Sequence, residues 1–305
     1  MKKQYAVLSY ADKGGGNIGD DIQTLAAINL LKKNGINEYI YVDRENMHNY
    51  EGPPVYVIMN GWFLNKLENF PPANNIVPLF ISFHSWNEKL IKHNVQYFKK
   101  YEPIGCRDNH TKRLCKKYGI KAYFSGCITL TFDAVQVKND LVYAVDSNVK
   151  CVNASTDHAF DMSSQRPTIG NGHPLSDVSI EFDEDIRPTS IWHGPVEENI
   201  KFSVERRLDY AQSLLSQYKV AKLVITSRLH AAMPCRAFGT DVIFVVRGYK
   251  IDSRFRGMEK ILNGVQSGTH LTISQFEKYK TIDNSLLLET KEGLNKMFSE
   301  LIAKY

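Results

Sequence analysis

Cysteine is scarce in this 305-residue chain: Cys106, Cys115, Cys127, Cys151 and Cys235 are the five present. The number is odd and no CxxC occurs, so neither a zinc site nor a disulfide framework is indicated, and a reducing compartment is expected. No apolar run approaches the roughly 18 residues that a membrane span needs. After Met1-Lys2-Lys3 the apolar stretch Tyr5 to Leu8 is too short for a signal-peptide core. The expectation is a cytoplasmic protein without a transmembrane segment; peripheral contact with a membrane is left open. An excess of one charge is also lacking, with 38 Lys and Arg against 33 Asp and Glu and a net charge of +5. That argues against a dedicated nucleic-acid binder, which concentrates a basic face. HExxH, Walker, G-x-S-x-G and kinase signatures are absent. What remains is ordinary globular composition, 43% hydrophobic and 23% charged, in a chain long enough for two domains of about 150 residues each.

Strand-like and helix-like segments alternate. Strands are expected at Tyr5–Tyr10, Tyr39–Val42, Val55–Met59, Val77–Phe83, Pro103–Cys106 and Lys121–Phe124. Helices are expected from Ile22 to Leu30, from Leu90 to Phe98 and around Thr111–Tyr118. The pattern resumes with strands at Leu141–Val145, Thr189–His193, Lys222–Thr226 and Val242–Val246, and helices at Ser203–Tyr218 and Leu229–Phe238. A last helix, 290–304, carries Leu294, Met297, Phe298, Leu301 and Ile302 on one stripe. Such alternation predicts an α/β protein of parallel sheets with helices on both faces, as in doubly wound, Rossmann-like domains. A polar shift near Asp133–Asp140 sets the boundary between domains 1–137 and 138–305. Region 147–188 is polar, rich in Ser, Asp and Pro, and reads as irregular loop.

Gly14, Gly16 and Gly19 form a literal G-x-G-x-x-G between a strand and a helix, and Asp43 ends the next strand. That spacing suits a dinucleotide. Against it stand Asn17 and the doublet Asp20-Asp21, because carboxylates repel a pyrophosphate and themselves interact well with a helix N-terminus. The loop thus presents a carboxylate and an amide, with Asp20 able to accept a hydroxyl proton. The plainer alternative is that Asp20 or Asp21 caps the helix.

The most informative segment is Val224–Pro234 (VITSRLHAAMP). A buried strand runs into Thr226-Ser227, residue types that cap helices, and a helix begins at about Leu229. Helix N-termini bind phosphate and carboxylate. Arg228 adds a guanidinium with bidentate geometry, and His230 an imidazole that exchanges protons near neutral pH. In open α/β sheets, ligands bind at the carboxyl ends of strands. A surface arginine and a packed histidine are the plainer reading; the junction favours function.

These blocks also carry a resemblance. Gly14–Asp20 (GGGNIGD), Gly105-Cys106-Arg107-Asp108, and Thr226–Gly239 (TSRLHAAMPCRAFG) followed by Asp241–Val245 resemble, in order, the polysaccharide pyruvyl transferase family. Asn60-Gly61-Trp62 and Ile81-Ser82-Phe83-His84 resemble strand-end loops of that family. The resemblance implies two domains facing across a cleft in a glycosyltransferase-B-like (GT-B-like) shape. It also implies transfer of the pyruvyl unit of phosphoenolpyruvate onto two hydroxyls of a sugar, in a glycan or lipid-linked oligosaccharide, with release of phosphate. Arg228 and His230 would then serve the donor, and Asp20 catalysis. The donor is a substrate, and no cofactor is implied.

That chemistry assigns further candidates. A small, highly anionic donor needs cationic clamps: Arg228 with Ser227, then Arg247, Lys250 and Arg254 beyond the Val242–Val246 strand. His230 is the candidate acid and Asp20 the candidate base. Asn17, Asn60, Trp62, His84 and Trp86 are candidates for the acceptor sugar, although core packing is the commoner fate of tryptophan. His193 ranks lower. The other histidines lie in polar stretches and are expected to be solvated. No metal is expected, since the acidic doublet and Asp183-Glu184-Asp185 read as solvated faces. Three other readings stay open: a GT-B glycosyltransferase with a nucleotide-sugar donor, a nucleotide-binding or redox protein using the glycine loop, and a non-catalytic sugar-binding relative.

Overall fold

The structure, a computed structural model, describes residues 3–10, 17–63, 67–156, 158–162, 176–193, 202–246, 255–280 and 284–305. It is a mixed α/β fold. Six strands make the first sheet: β1 (Tyr5–Ser9), β2 (Ile40–Asp43), β3 (Val55–Trp62), β4 (Ile76–His84), β5 (Ile104–Cys106) and β6 (Ala122–Phe124). Their order is β2-β1-β3-β4-β5-β6 and every pairing is parallel. Helix α1 (Gly19–Lys33) packs one face of it. Helices α2 (Glu88–His93), α3 (Val95–Lys100) and α4 (Asn109–Lys117) cover the other side and its edge. The single helix expected from Leu90 to Phe98 is split at Asn94, whose amide donates back to the Leu90 carbonyl.

The second parallel sheet is built from β7 (Val142–Val145), β11 (Thr189–Ile191), β12 (Leu223–Thr226), β13 (Asp241–Val246) and β14 (Val265–Gln266), ordered β11-β7-β12-β13-β14. One face carries Tyr143, Val145, Val224, Val242 and Phe244. It packs against α5 (Val204–Val220), α6 (Leu229–Phe238) and the last helix, α9 (Asn284–Lys304). The opposite face only partly meets the expectation of helices on both sides: Phe276 of the helix Ile273–Lys280 packs there, but strands make most of the cover. A third sheet lies there, ordered β15-β10-β8-β9: β8 (Ser147–Asn153), β9 (Ala159–Asp161), β10 (Ser176–Phe182) and β15 (Thr269–Leu271). Val149, Cys151, Val178, Ile180 and Leu271 point inward against Val142, Ala144, Leu223, Ile225 and Ile243. Between them Lys150, Ser179 and Glu181 face outward, a period-2 alternation that makes a half-buried strand. Much of 147–188 is therefore strand rather than irregular loop. Short helices α7 (Glu259–Leu262) and α8 (Ile273–Lys280) complete the described elements.

Helix α1 ties the two parallel sheets together. Ile22, Ala26, Ala27, Leu30 and Leu31 are buried, and the same apolar core holds Ile58 and Leu79 of the first sheet with Leu214, Ala231 and Val224 of the second half. A helix apolar around most of its circumference belongs in a core, and alanines at 26 and 27 let its neighbours approach closely. Helix α9 returns along this core through Leu294, Phe298 and Leu301. Both parallel sheets thus turn their carboxyl edges toward one place.

Candidate active site

At that place lies a cavity of about 650 Å³ lined by Asn17, Asp20, Trp62, His84, Trp86, Arg107, His193, Ser227, Arg228, Leu229, His230, Phe244, Val245 and Phe255. Trp62 ends β3, His84 ends β4, and Arg107 directly follows β5. Across from them, His193 lies two residues past β11, and Ser227 to His230 join β12 to α6. The cavity is built almost entirely from the positions where open α/β sheets hold ligands.

The β12–α6 junction is held from behind by an acid. Asp146, directly after β7, is fully buried and sits in the left-handed region at φ 47°, a conformation that aspartate tolerates better than most residues. Its carboxylate pairs with Arg228 Nε and also accepts the His193 backbone N–H at 3.3 Å. Its carbonyl accepts the Ser227 hydroxyl at 3.3 Å. Arg228 itself occupies the N-cap of α6, and Thr226 Oγ1 accepts the Arg228 N–H at 2.9 Å. The threonine therefore shapes the turn before the helix rather than capping it. A guanidinium fixed by a buried carboxylate, beside a helix N-terminus, is suited to an oxyanion.

His230 lies in the first turn of α6 against the start of α1. A β-carbon at Gly19 would stand 2.8 Å from His230 Nδ1 and 3.1 Å from its Cβ. Glycine at 19 is thus a steric requirement of the contact that brings Asp20 and His230 to the same cavity. Neither acid of the doublet caps α1: Ile18 is the N-cap and no side-chain cap bond is made. Asp20 accepts Gln23 Nε2 at 3.2 Å. Burial raises its pKa, partly offset by Arg44, Arg107 and Arg207, with Glu45 adding to the rise. Such a carboxyl trades protons nearer neutrality than an exposed aspartate. Asp21 points away, into a buried bidentate pair with Arg207 at 3.0 and 2.6 Å. Burial still lifts it to about 6 against the pull of Arg207.

On the first-sheet side, Asp108 holds His84 Nδ1 at 2.5 Å, with Thr111 Oγ1 at 3.2 Å. Burial would raise the Asp108 carboxyl, but its hydrogen bond to His84, the charges of His84 and Arg107 and the Thr111 N–H outweigh it and hold it low. Trp62 and Trp86 meet edge-on, ring centroids 6.4 Å apart, and Trp86 stands 63% exposed at the mouth. Arg44 braces Trp62 from below, donating to its carbonyl at 2.8 Å and lying 5.7 Å from its ring. His193 is buried, its Nε2 bonded to the Tyr218 hydroxyl at 2.7 Å; burial presses its pKa down to about 4, against Asp146 and with Arg228. It is a neutral wall residue at ordinary pH.

The cavity gathers Asn17, Asp20, Trp62, His84, Trp86, Ser227, Arg228 and His230 from the residues singled out in the sequence. Asn60 does not line it: the residue is 1% exposed, with neither side-chain polar atom hydrogen-bonded, beneath the surface that Trp62 presents. Arg247, Lys250 and Arg254, like Gly14 and Gly16, lie outside the described residues. Arg107, Asp108, Asp146 and Arg44 were missed as site residues. All four follow an expected strand by one or two positions, so the strand-end rule applied to every strand would have found them. Among the described residues, no group of three or more His, Cys, Asp or Glu could hold a metal ion.

A family model, polysaccharide pyruvyl transferase, matches residues 17–249. The chain belongs to the polysaccharide pyruvyl transferase family. It is therefore placed among transferase enzymes, and the family implies pyruvyl transfer and a polysaccharide acceptor. The matched span contains Asp20, His84, Arg107, Arg228 and His230. No curated protein matches the chain. Among solved structures, a functionally uncharacterized protein from Klebsiella pneumoniae is 15% identical over 83% of this chain and 87% of that one, with a TM-score of 0.46. No described helix of the family member is long and apolar enough to cross a membrane.

Proposed function

We propose that this family member is a cytoplasmic ketal pyruvyl transferase that takes its pyruvyl unit from phosphoenolpyruvate and places it on two hydroxyls of one sugar. The acceptor is a glycan or a lipid-linked oligosaccharide. The observation that carries this reading is the cavity in which Arg228, His230, Asp20 and Arg107 meet an aromatic mouth. In this reading, residues 1–137 and 138–305 act as two domains of a GT-B-like arrangement, acceptor on the first side and donor on the second. Arg228, Ser227 and the N-terminus of α6 hold the donor's anionic groups, with Arg247, Lys250 and Arg254 as candidates for a second clamp. Asn17, Trp62, His84 and Trp86 receive the sugar.

The steps balance as follows. His230 gives a proton to C3 of the enolpyruvyl group, leaving an oxocarbenium-like C2. The first sugar hydroxyl forms a C–O bond to C2 while Asp20 takes its proton. The C2–O bond to phosphate then breaks and phosphate leaves with the proton that Asp20 had taken, and the second hydroxyl closes the ketal, its proton returning to His230. The overall yield is one ketal and one phosphate per donor. A raised carboxyl pKa suits Asp20 to this exchange, and fixing both substrates in one cavity supplies proximity.

Thermal denaturation with ligands tests the donor. Phosphoenolpyruvate at a hundredfold excess over its Kd stabilises by about 2.7 kcal/mol, and nucleotide sugars and NAD leave the melting temperature unchanged. A shift with UDP- or GDP-sugar and none with phosphoenolpyruvate would replace this reading by a glycosyltransferase. A shift with NAD alone would favour a redox or nucleotide-binding protein.

A further inference from the structure

Asp21 and Arg207 are charged, buried and unused by the mechanism above. Arg207 is 1% exposed and Asp21 3%. They stand 186 residues apart in sequence, one in the first turn of α1 and the other in the first turn of α5. Both guanidinium contacts are made, Nε to Oδ1 at 3.0 Å and a terminal nitrogen to Oδ2 at 2.6 Å. A buried pair of this kind is a weak source of stability, because desolvation cancels much of the attraction. Its fork geometry, however, fixes orientation in a way that apolar packing does not.

What it orients is next to it in the chain. Asp20 precedes Asp21, and successive helical residues project about 100° apart. With Asp21 locked onto α5, the direction of Asp20 into the cavity is set. Two further contacts hold the same turn to the second half: the Ile18 N–H donates to the His193 carbonyl at 3.2 Å, and Gly19 lies against the His230 ring. Neither of these fixes rotation about the α1 axis as a two-pronged contact does. We infer that the Asp21–Arg207 pair is a positioning device that sets Asp20 of the first half against Arg228 and His230 of the second. Resting on the pyruvyl-transfer reading for its kinetic consequence, it makes turnover, rather than donor binding, depend on a pair that touches no substrate.

The test compares Asp21→Leu/Arg207→Met, which replaces the ion pair by apolar groups, with Arg207→Lys, which keeps the charge but loses the fork. The expected result for the double variant is a melting temperature close to wild type. Its kcat, read as phosphate release with acceptor present, falls at least tenfold, while the Kd for phosphoenolpyruvate moves less than threefold. Arg207→Lys lies between the two in kcat and decides the matter alone if the double variant does not fold. A folded variant with wild-type kcat, or a loss confined to donor affinity, overturns the inference. Amide exchange supplies a readout independent of activity: residues 20–24 should exchange at least tenfold faster in the double variant while 25–33 do not. Unchanged protection at 20–24 also overturns it. Should wild-type protein release no phosphate, the pyruvyl-transfer reading fails, and the exchange data still judge the clamp.

Discussion

The two walls of the cavity use the same device with different chemistry. In each, a buried aspartate at a strand end holds a cavity-lining side chain from behind: Asp108 holds His84 after β4, and Asp146 holds Arg228 after β12. The arginine wall sets a guanidinium next to a helix N-terminus. The histidine wall also presents Arg107, but beside an imidazole and two tryptophan rings. A permanent cation suits a permanent anion, whereas an imidazole with aromatic faces suits a neutral ring bearing hydroxyls. On this difference we propose donor and acceptor on opposite walls, and the contrast can be broken from either side.

The sharpest break is His230→Ala. Losing a general acid costs about 10²–10⁴-fold in turnover. Because His230 is only half-buried and its neighbour at the contact is a glycine, the fold should survive. Phosphate release and far-UV circular dichroism measured together check this, and near-normal turnover would remove His230 from the mechanism.

A second prediction concerns the wall residue that takes no part. His193 is held at about 4, below its ordinary 6.5. Because its folded pKa is lowered, the unfolded chain binds the proton first as pH falls. Its contribution is full above 6.5 and is lost as pH falls through 6.5 to about 4, on the order of 3 kcal/mol. Asp21 acts oppositely in an overlapping window. Its folded value is raised from 3.8 to about 6, so stability is gained as pH falls from 6 toward 4. The difference between wild type and His193→Gln isolates the histidine, since glutamine keeps a partner for the Tyr218 hydroxyl. Denaturant melts at pH 7 and pH 4.5 should show the variant losing less stability than wild type. Equal losses would mean that His193 is not held neutral.

The sequence foretold some of these features for identifiable reasons. Strands β1, β3, β4, β12 and β13 are apolar runs ended by Gly, Ser or Asn, so their ends, and with them Trp62, His84 and Arg228, could be read directly. Strands β8 and β10 were hidden because their outward faces are Asn, Lys, Ser and Glu, and averaging over both faces makes the segment polar. The short strand β5 was foreseen, yet Arg107 and Asp108 after it were read only as part of a resemblance. The Asp21–Arg207 pair was illegible because nothing local marks a partner 186 residues away. Asn60 misled because it precedes a glycine in a strand-end loop, while the backbone turns its side chain into the interior.

On the donor wall, Arg228→Ala should weaken phosphoenolpyruvate binding by about 10–100-fold, the equivalent of one lost charge-assisted contact. The acceptor KM should stay within threefold. Titration calorimetry reads the donor and steady-state kinetics the acceptor. An equal effect on both substrates would merge the two walls into one subsite.

The smallest effect tests the opposite wall. Trp86 is 63% exposed and touches Trp62 only edge-on, so removing it leaves little cavity and costs little stability. An aromatic face against a ligand contributes about 0.5–1.5 kcal/mol, so Trp86→Ala should raise the acceptor KM by about 2–10-fold. Donor Kd should not move if the sugar rather than the donor meets the exposed Trp86 ring at the mouth. Phenylalanine at 86 should recover most of the loss if the ring face is what the sugar meets. A variant in which phosphoenolpyruvate affinity falls while the acceptor KM holds would exchange the two walls, placing the donor under the tryptophans and the sugar at Arg228.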